Sequence, residues 1–488
     1  MESSRLNVLF LFSDEHDPRH MGISGSPIVK TPNLDALARR GTRFVNATTP
    51  SPICVPARAA LATGAPVHEI GYWDNAIAYD GRVKGWCHVL ADGGHRVESI
   101  GKLHYTKTED PTGFTDEHSP MHIWKGVGQL WGSIKDPLPA PRKGGRMLKE
   151  IGPGLSGYNE YDLDVTSRAE NWLLERGRQP DDKPWALMVG HVAPHFPLVA
   201  PERFFNDYPL EIVPPSKLLP TDGFEQHPWI AAKEQFKCEE AFFDGNPEQR
   251  KLAIASYFAL CTFLDENIGR VLNALEASGQ ADNTIVIYSS DHGDNLGQRA
   301  LWGKSNMYRE SVDVPMIMAG PGIAADRVNN TPVSLLDIHA TILDVFGLAG
   351  PDDNVVRSSE SLLNLLSASK GERTTMSQYH AVGADNGAFM VTDGDLKYCA
   401  YVGYPSELFD LRSDPEETTN RVDDPAMAPT VARLQKSLAQ HLGGRTVERV
   451  DRMAKDDQAA LIERYGGREA ALQQGTPGAT PVPGKGHE

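Results

Sequence analysis

Short and nearly uninterrupted apolar runs recur along the chain at residues 7–12, 96–100, 185–190, 284–289 and 314–319, each bounded by polar or glycine-containing segments. Runs of this length without polar alternation predict strands covered on both faces, as in a parallel sheet. Helical spacing fills the intervals, at 32–40 before Gly41, 56–63 before Gly64, 163–176 and 252–275. Strand and helix alternate through about residue 345, which predicts a doubly wound α/β arrangement. Beyond it the pattern changes. Residues 376–411, with a turn signal at Asp393-Gly394-Asp395, predict a small antiparallel sheet, and 431–441 a helix packed on it. A charged helical pattern follows Gly443, and the last fourteen residues, 475–488, are rich in proline and glycine, a composition expected of a frayed terminus.

Composition narrows the class. At 40% hydrophobic and 23% charged residues the chain reads as globular, neither disordered nor fibrous. Its 65 acidic residues against 48 basic ones leave a net charge of −17, which disfavours nucleic acid and anionic membrane as partners. An anionic substrate would therefore need a local cationic site. The apolar run near the N-terminus is too short for a signal peptide and no run suits a membrane span, so the expected location is the cytoplasm. Five scattered cysteines, Cys54, Cys87, Cys238, Cys261 and Cys399, fit free thiols better than a disulfide framework.

Open α/β sheets bind ligands at the carboxyl ends of their strands. Here the first run enters Asp14-Glu15, the second Gly101-Lys102-Leu103-His104, the third His191 and His195, and the fourth Asp291-His292-Gly293-Asp294. Together they predict one polar crevice that holds a divalent ion. Asp14, Glu15 and Asp291 offer hard oxygen ligands for Ca²⁺, Mg²⁺ or Mn²⁺, and His292 tilts the choice toward Mn²⁺. Lys102, His104, His195 and Lys304 could neutralise the oxygens of an anion. Pro56 and Ala57 open a helix with Cys54 at its N-terminal end and Arg58 one turn on. A cysteine so placed reads either as an activated thiolate or as a small packed hydrophobe.

Cys54-Val-Pro-Ala-Arg58 followed by Leu61-x-Thr63-Gly64 resembles the Cys-x-Pro-Ser/Ala-Arg…Thr-Gly motif of the type I sulfatases, in the alkaline phosphatase superfamily. Gly94 to His104, Asp291-His-Gly-Asp-x-Leu-Gly297 with Lys304, Glu407-Leu-Phe-Asp-Leu411 and Asp414-Pro-Glu-Glu417 resemble further family segments in the same order. The resemblance implies a large alkaline-phosphatase-like α/β domain over 1–365 with a mainly parallel sheet, an antiparallel-sheet subdomain over 366–443, and a helical then Pro/Gly-rich tail over 444–488. It also implies hydrolysis of sulfate esters by formylglycine made from Cys54, whose hydrated gem-diol is the nucleophile. Asp14, Glu15, Asp291, His292 and modified Cys54 would bind the metal, Ca²⁺ or Mn²⁺ before Mg²⁺. Arg58 would orient the gem-diol, Lys102 and Lys304 would hold sulfate oxygens, and Asn75 would add a contact to the transferred group. Asp291 would take a proton from the nucleophile, His104 would assist aldehyde regeneration, and His195 would serve the leaving oxygen. Glu15 stands where many members have Asp, and His292 where many have Asn, which leaves the metal's identity open.

The alternative within the superfamily is a phosphonate monoester hydrolase or phosphodiesterase. Lys102 and His104 argue for the sulfatase. The expected substrate is a small alkyl or aryl sulfate, with choline sulfate favoured if Tyr72 and Trp73 hold a quaternary ammonium rather than pack the pocket wall. The expected partners are this small anionic ester and a formylglycine-generating enzyme for maturation, with homo-oligomerisation left open.

Overall fold

A computed structural model describes residues 6–140, 148–180, 183–237, 240–243, 245–367, 373–474 and 480–483. Eight strands form the main sheet: β1 (Asn7–Asp14), β2 (Gly41–Phe44), β3 (Arg96–Lys102), β4 (Asp116–Met121), β5 (Trp185–Pro194), β6 (Thr284–Ser290), β7 (Met316–Ala319) and β8 (Arg327–Asn329). Their order is β8-β2-β7-β6-β1-β5-β3-β4. All five apolar runs are strands. β1 lies between β5 and β6 and pairs in parallel with both, and β3 pairs in parallel with β5 and β4. The fifth run departs from expectation, because β7 runs antiparallel to both β6 and β2. Its residues are fully covered all the same, so an uninterrupted apolar pattern reports burial and not strand direction.

Alternate residues of β1 feed two cores. Val8, Phe10 and Phe12 pack with α2 (Cys54–Thr63) and α5 (Leu336–Val345). Leu9 and Leu11 pack with α1 (Pro32–Arg39), α3 (Gly157–Arg178) and α4 (Pro247–Ala277). The period of two along a strand thus sandwiches the sheet between helices. Gly64 closes α2 in the left-handed region as read from the sequence, whereas Gly41 opens β2 instead of capping α1.

The C-terminal sheet is a meander of β9 (Thr375–Tyr379), β10 (Ala388–Thr392), β11 (Leu396–Tyr401) and β12 (Glu407–Asp410), all antiparallel. Its expected hairpin closes with the Asp393 amide donating to the Leu396 carbonyl. Leu434 and Leu438 of α6 (Ala428–His441) share one apolar cluster with Phe389 and Tyr398, and that cluster also contains the β1 residues. The two sheets are therefore joined by a continuous core. Helices α7 (Val447–Arg464) and α8 (Gly467–Gln473) complete the C-terminal part. The divisions expected after residues 365 and 443 fall in the connections before β9 and between α6 and α7. Cys54, Cys87, Cys261 and Cys399 are buried free thiols, while Cys238 and most of the Pro/Gly-rich tail lie outside the described residues. Among the described residues, no helix is long and apolar enough to cross a membrane.

Two bulges aim the site. The β1–β5 register shifts between Phe12 and Asp14, and the β3–β4 register shifts between Ile100 and Lys102. Such irregularities re-aim side chains at the end of a strand. Gly101 sits in the second at φ +101°, and an added Cβ would lie 2.2 Å from the Gly190 carbonyl oxygen on β5. Gly101→Ala should therefore cost roughly 2–4 kcal/mol, combining a left-handed backbone with a backbone clash. Gly223→Ala, at φ +89° with nothing within 4 Å, should cost only about 1 kcal/mol. Urea denaturation checks the contrast, and equal losses would mean that backbone conformation alone matters at Gly101.

Candidate active site

Because β1 and β6 are adjacent and parallel, with Ser13 opposite Ser290, the residues that follow them emerge side by side. They are Asp14 and Glu15 from one strand, and Asp291 and His292 from the other. Helix α2 points its first residue, Cys54, at the same spot. The Cys54 Sγ lies 3.2 Å from His292 Nε2 and 3.7 Å from Asp14 Oδ1. Ligand atoms of Asp14, Cys54, Asp291 and His292 all fall within 4.8 Å of one another, and a second such group joins Asp14 to Glu15 and His195. All of these residues are buried.

Three cations answer the three acids. Arg58 spans two of them, donating from Nε to Asp291 Oδ2 at 2.8 Å and from Nη2 to Asp14 Oδ2 at 2.9 Å. Lys102 meets Asp14 Oδ2 at 2.7 Å, and Lys304 donates to Glu15 Oε2 at 3.0 Å. Burial works against the Asp14 carboxylate, yet Lys102, His195, Arg58 and Lys304 hold it well below the usual range. Burial followed by the field of Asp14 pushes Asp291 up to about 7. Glu15 is raised by burial in spite of Lys304, and its Oε1 has no partner.

Burial lowers His292, His195 and His104 well below the usual imidazole range. His292 Nδ1 lies 3.1 Å from the Gly293 carbonyl, so that nitrogen carries the proton and Nε2 presents its lone pair to the cluster. This is the arrangement of a metal-ligating histidine with its other nitrogen held by a carbonyl. An orphaned carboxylate oxygen, two further carboxylates and a free imidazole lone pair fit a hard or borderline divalent ion. The third group able to ligate, Glu98, Asp116 and His118, is a partly exposed ion-paired patch in which Glu98 also receives the Trp172 indole.

The structure brings together Asp14, Glu15, Cys54, Arg58, Lys102, His195, Asp291, His292 and Lys304. His104 is also at hand, nearly covered, with Nε2 2.8 Å from the hydroxyl of Thr480. Asn75 uses its side-chain oxygen to accept the Val55 amide of the first turn of α2 at 3.3 Å. One reading changes, that of His191, and three left open by the sequence are decided. The activated thiolate does not stand: burial, then Asp14, pushes the Cys54 thiol up to about 12. His191 turns to the helix layer, against the Thr166 hydroxyl at 3.1 Å, and takes no part in the crevice. Tyr72 is fully buried against Asp80, with Arg82 over its ring. Trp73 donates to Asp457 and meets His380 edge-on, so the aromatic pair packs the core.

Sequence reading missed the residues that hold the loops. The Tyr257 hydroxyl donates to the Glu15 carbonyl and accepts the Asp17 amide, fixing the turn at Glu15, whose φ is +70°. Asp162 accepts the Val192 and Ala193 amides just before His195. Asp294 accepts the Leu296 and Gly303 amides, which sets the loop that carries Lys304. Only Asp294 lies in a recognisable motif. The others sit within helices, where nothing local marks them.

A profile of the sulfatase family matches residues 6–348, and one described as N-sulphoglucosamine sulphohydrolase, C-terminal, matches 297–443. The choline-sulfatase of Rhizobium meliloti is 28% identical over 475 residues, covering 94% of this chain and 90% of its own. The arylsulfatase K of Bos taurus is 30% identical over 445 residues, covering 85% and 78%. Among solved structures, the phosphonate monoester hydrolase of Agrobacterium radiobacter superposes with a TM-score of 0.72 at 22% identity, covering 90% of this chain and 96% of its own, a likeness of fold. With the family profile spanning the sheet and every strand end of the site, the chain belongs to the sulfatase family and is a sulfuric ester hydrolase.

Proposed function

We propose that the site hydrolyses small alkyl or aryl sulfates by way of a formylglycine made from Cys54. The observation that carries this reading is Cys54 itself: a neutral thiol at the start of α2, facing Asp14 and His292 within a ring that also holds Asp291. A thiol held up near 12 is a poor nucleophile, whereas a hydrated aldehyde at the same Cβ would set one hydroxyl among the acids and leave another for the substrate. A divalent ion held by Asp14, Glu15, Asp291 and His292 would supply charge stabilisation for the transferred group; Ca²⁺ or Mn²⁺ suits the ligand set best.

Asp291, raised by burial and then by the field of Asp14, is the carboxylate of the ring best suited to take a proton from the nucleophilic hydroxyl. That oxygen bonds to sulfur as the bond from sulfur to the alcohol oxygen breaks, and His195, which takes up a proton beside Glu15 and the anionic ester, hands that proton to the departing alcohol. Lys102 and Lys304 face the sulfuryl oxygens. Loss of the second hydroxyl's proton to His104 then expels sulfate and restores the aldehyde. Arg58 holds Asp14 and Asp291 in place throughout. Maturation by a formylglycine-generating enzyme and a cytoplasmic location belong to the same proposal. The choline-sulfatase likeness supports a small alkyl sulfate, although Tyr72 and Trp73 are not its cage.

Three outcomes test this. Chelation should abolish sulfate-ester turnover and Ca²⁺, Mg²⁺ or Mn²⁺ should restore it, while Asp14→Asn and Asp291→Asn each lose about three or more orders of magnitude in kcat. Restoration by Zn²⁺ alone would overturn the ligand assignment. In unconverted native protein Cys54 should resist iodoacetamide near pH 8, because burial and then Asp14 keep its thiol protonated there. Labelling at the rate of a free thiol, followed by peptide mass analysis, would restore the thiolate reading. Specificity constants should favour an aryl or alkyl sulfate over a phosphonate monoester and a phosphodiester by at least about tenfold. The reverse order would make the phosphonate hydrolase the correct reading.

A further inference from the structure

The described end of the chain, residues 480–483, lies on the site. Thr480 Oγ1 is 2.8 Å from His104 Nε2, and the Thr480 carbonyl accepts the Tyr158 hydroxyl at 2.5 Å. Val482 is half-buried against the core that contains Tyr158, and its Cγ2 is 3.6 Å from where a Cβ on Gly157 would stand. Tyr158 in turn meets the His195 ring edge-on, with centroids 6.1 Å apart. The tail thus touches His104 directly and backs His195 through one aromatic ring. In the reaction proposed above His195 serves the leaving oxygen, so the part of the substrate beyond sulfur lies toward His195 and the residues that back it.

Pro481 and Pro483 fix φ on either side of Val482, so this short segment loses little freedom by docking. Its contacts are also of a binding kind: one hydroxyl to a ring nitrogen, one carbonyl to a phenol and one branched apolar side chain against the core. None serves a cap or a sheet ladder.

We propose that Thr480–Pro483 forms the wall of the pocket for the alcohol group, so that the C-terminal tail restricts the enzyme to esters of small alcohols. Thr480 and Val482 are specificity-determining residues in this account, and the catalytic residues keep their roles without them. The inference rests on the reading of the site as one for sulfate esters, and its test therefore uses binding rather than turnover.

The probes are methanesulfonate and naphthalenesulfonate, with the matching methyl- and naphthylphosphonates, titrated by calorimetry into the converted protein with its divalent ion. Three forms are compared: the full chain, a chain ending at Gln474, and Thr480→Val, which keeps the Val482 packing should the truncation fold poorly. The full chain should prefer the small probe. Truncation should shift the bulky-to-small affinity ratio upward by at least about tenfold and Thr480→Val by about threefold, with the small probe's own affinity little changed. An unchanged ratio in both variants would overturn the wall. A shift seen with phosphonates and not with sulfonates would leave the wall standing and remove the sulfate-ester reading. Equal loss of both probes on truncation would also overturn it, by making the tail a general support of the site.

Discussion

The site exists only because three carboxylates can be buried side by side. Adjacent parallel strands with matched ends make Asp14, Glu15 and Asp291 neighbours, and two like charges about 4 Å apart repel by roughly 4 kcal/mol at an effective dielectric of about 20. The fold answers with one cation per acid, each from a different segment: Arg58 from α2, Lys102 from the bulged end of β3, and Lys304 from the loop after β6. Removing any one leaves an uncompensated buried charge, which is among the most damaging changes a core can suffer. The helix start, the bulge and the loop must therefore all be in place before the acids can be. A divalent ion adds charge to the same balance, which is how a ligand can stabilise the folded chain that holds it.

The segments that carry the charges are held in unusual backbone shapes by groups with no chemistry of their own to perform. Glu15, His104, Leu296 and Ser305 all have positive φ without being glycine, and all lie in segments that form the crevice. Such conformations persist only where the surroundings impose them. Tyr257 does so at Glu15 and Asp294 at Leu296, through hydrogen bonds to the backbone, while Asp162 holds the amides just before His195. Asp74 does the same from farther off: it accepts the Ala76 amide, the Ser133 hydroxyl and the Gln458 amide, and so ties α7 to the loop that carries Asn75. The C-terminal helices are in this sense part of the site's scaffold.

How much can be read from the sequence follows from what the sequence repeats locally. Strands covered on both faces are written as apolar runs, so β1, β3, β5, β6 and β7 are legible. β4 and β8 are not, because their partly or fully exposed residues, such as Asp116 and Glu117, show no apolar period. β2 is hidden for another reason, since Gly41 reads as a helix stop. The site residues are legible because they sit at strand ends or in contiguous motifs. The orientation of a side chain is not written locally, which is why His191, one residue past an apolar run, reads as part of the crevice and in fact faces Thr166. The same holds for Tyr72 and Trp73, whose partners Asp80 and Asp457 decide that they are core. Contacts across hundreds of residues, such as His104 with Thr480, leave no trace in either segment.

The central claim is that position 54 supplies a nucleophile with two hydroxyls, one to attack and one to release the product. Replacing Cys54 with serine leaves one. Given a sulfate ester, the Cys54→Ser protein should release one equivalent of alcohol in a burst, gain the mass of a single sulfuryl group on the introduced hydroxyl, and stop. Intact-mass and peptide analysis of that reaction is the direct test. Continued turnover without an adduct, or no burst at all while the divalent ion is still bound, would contradict the account.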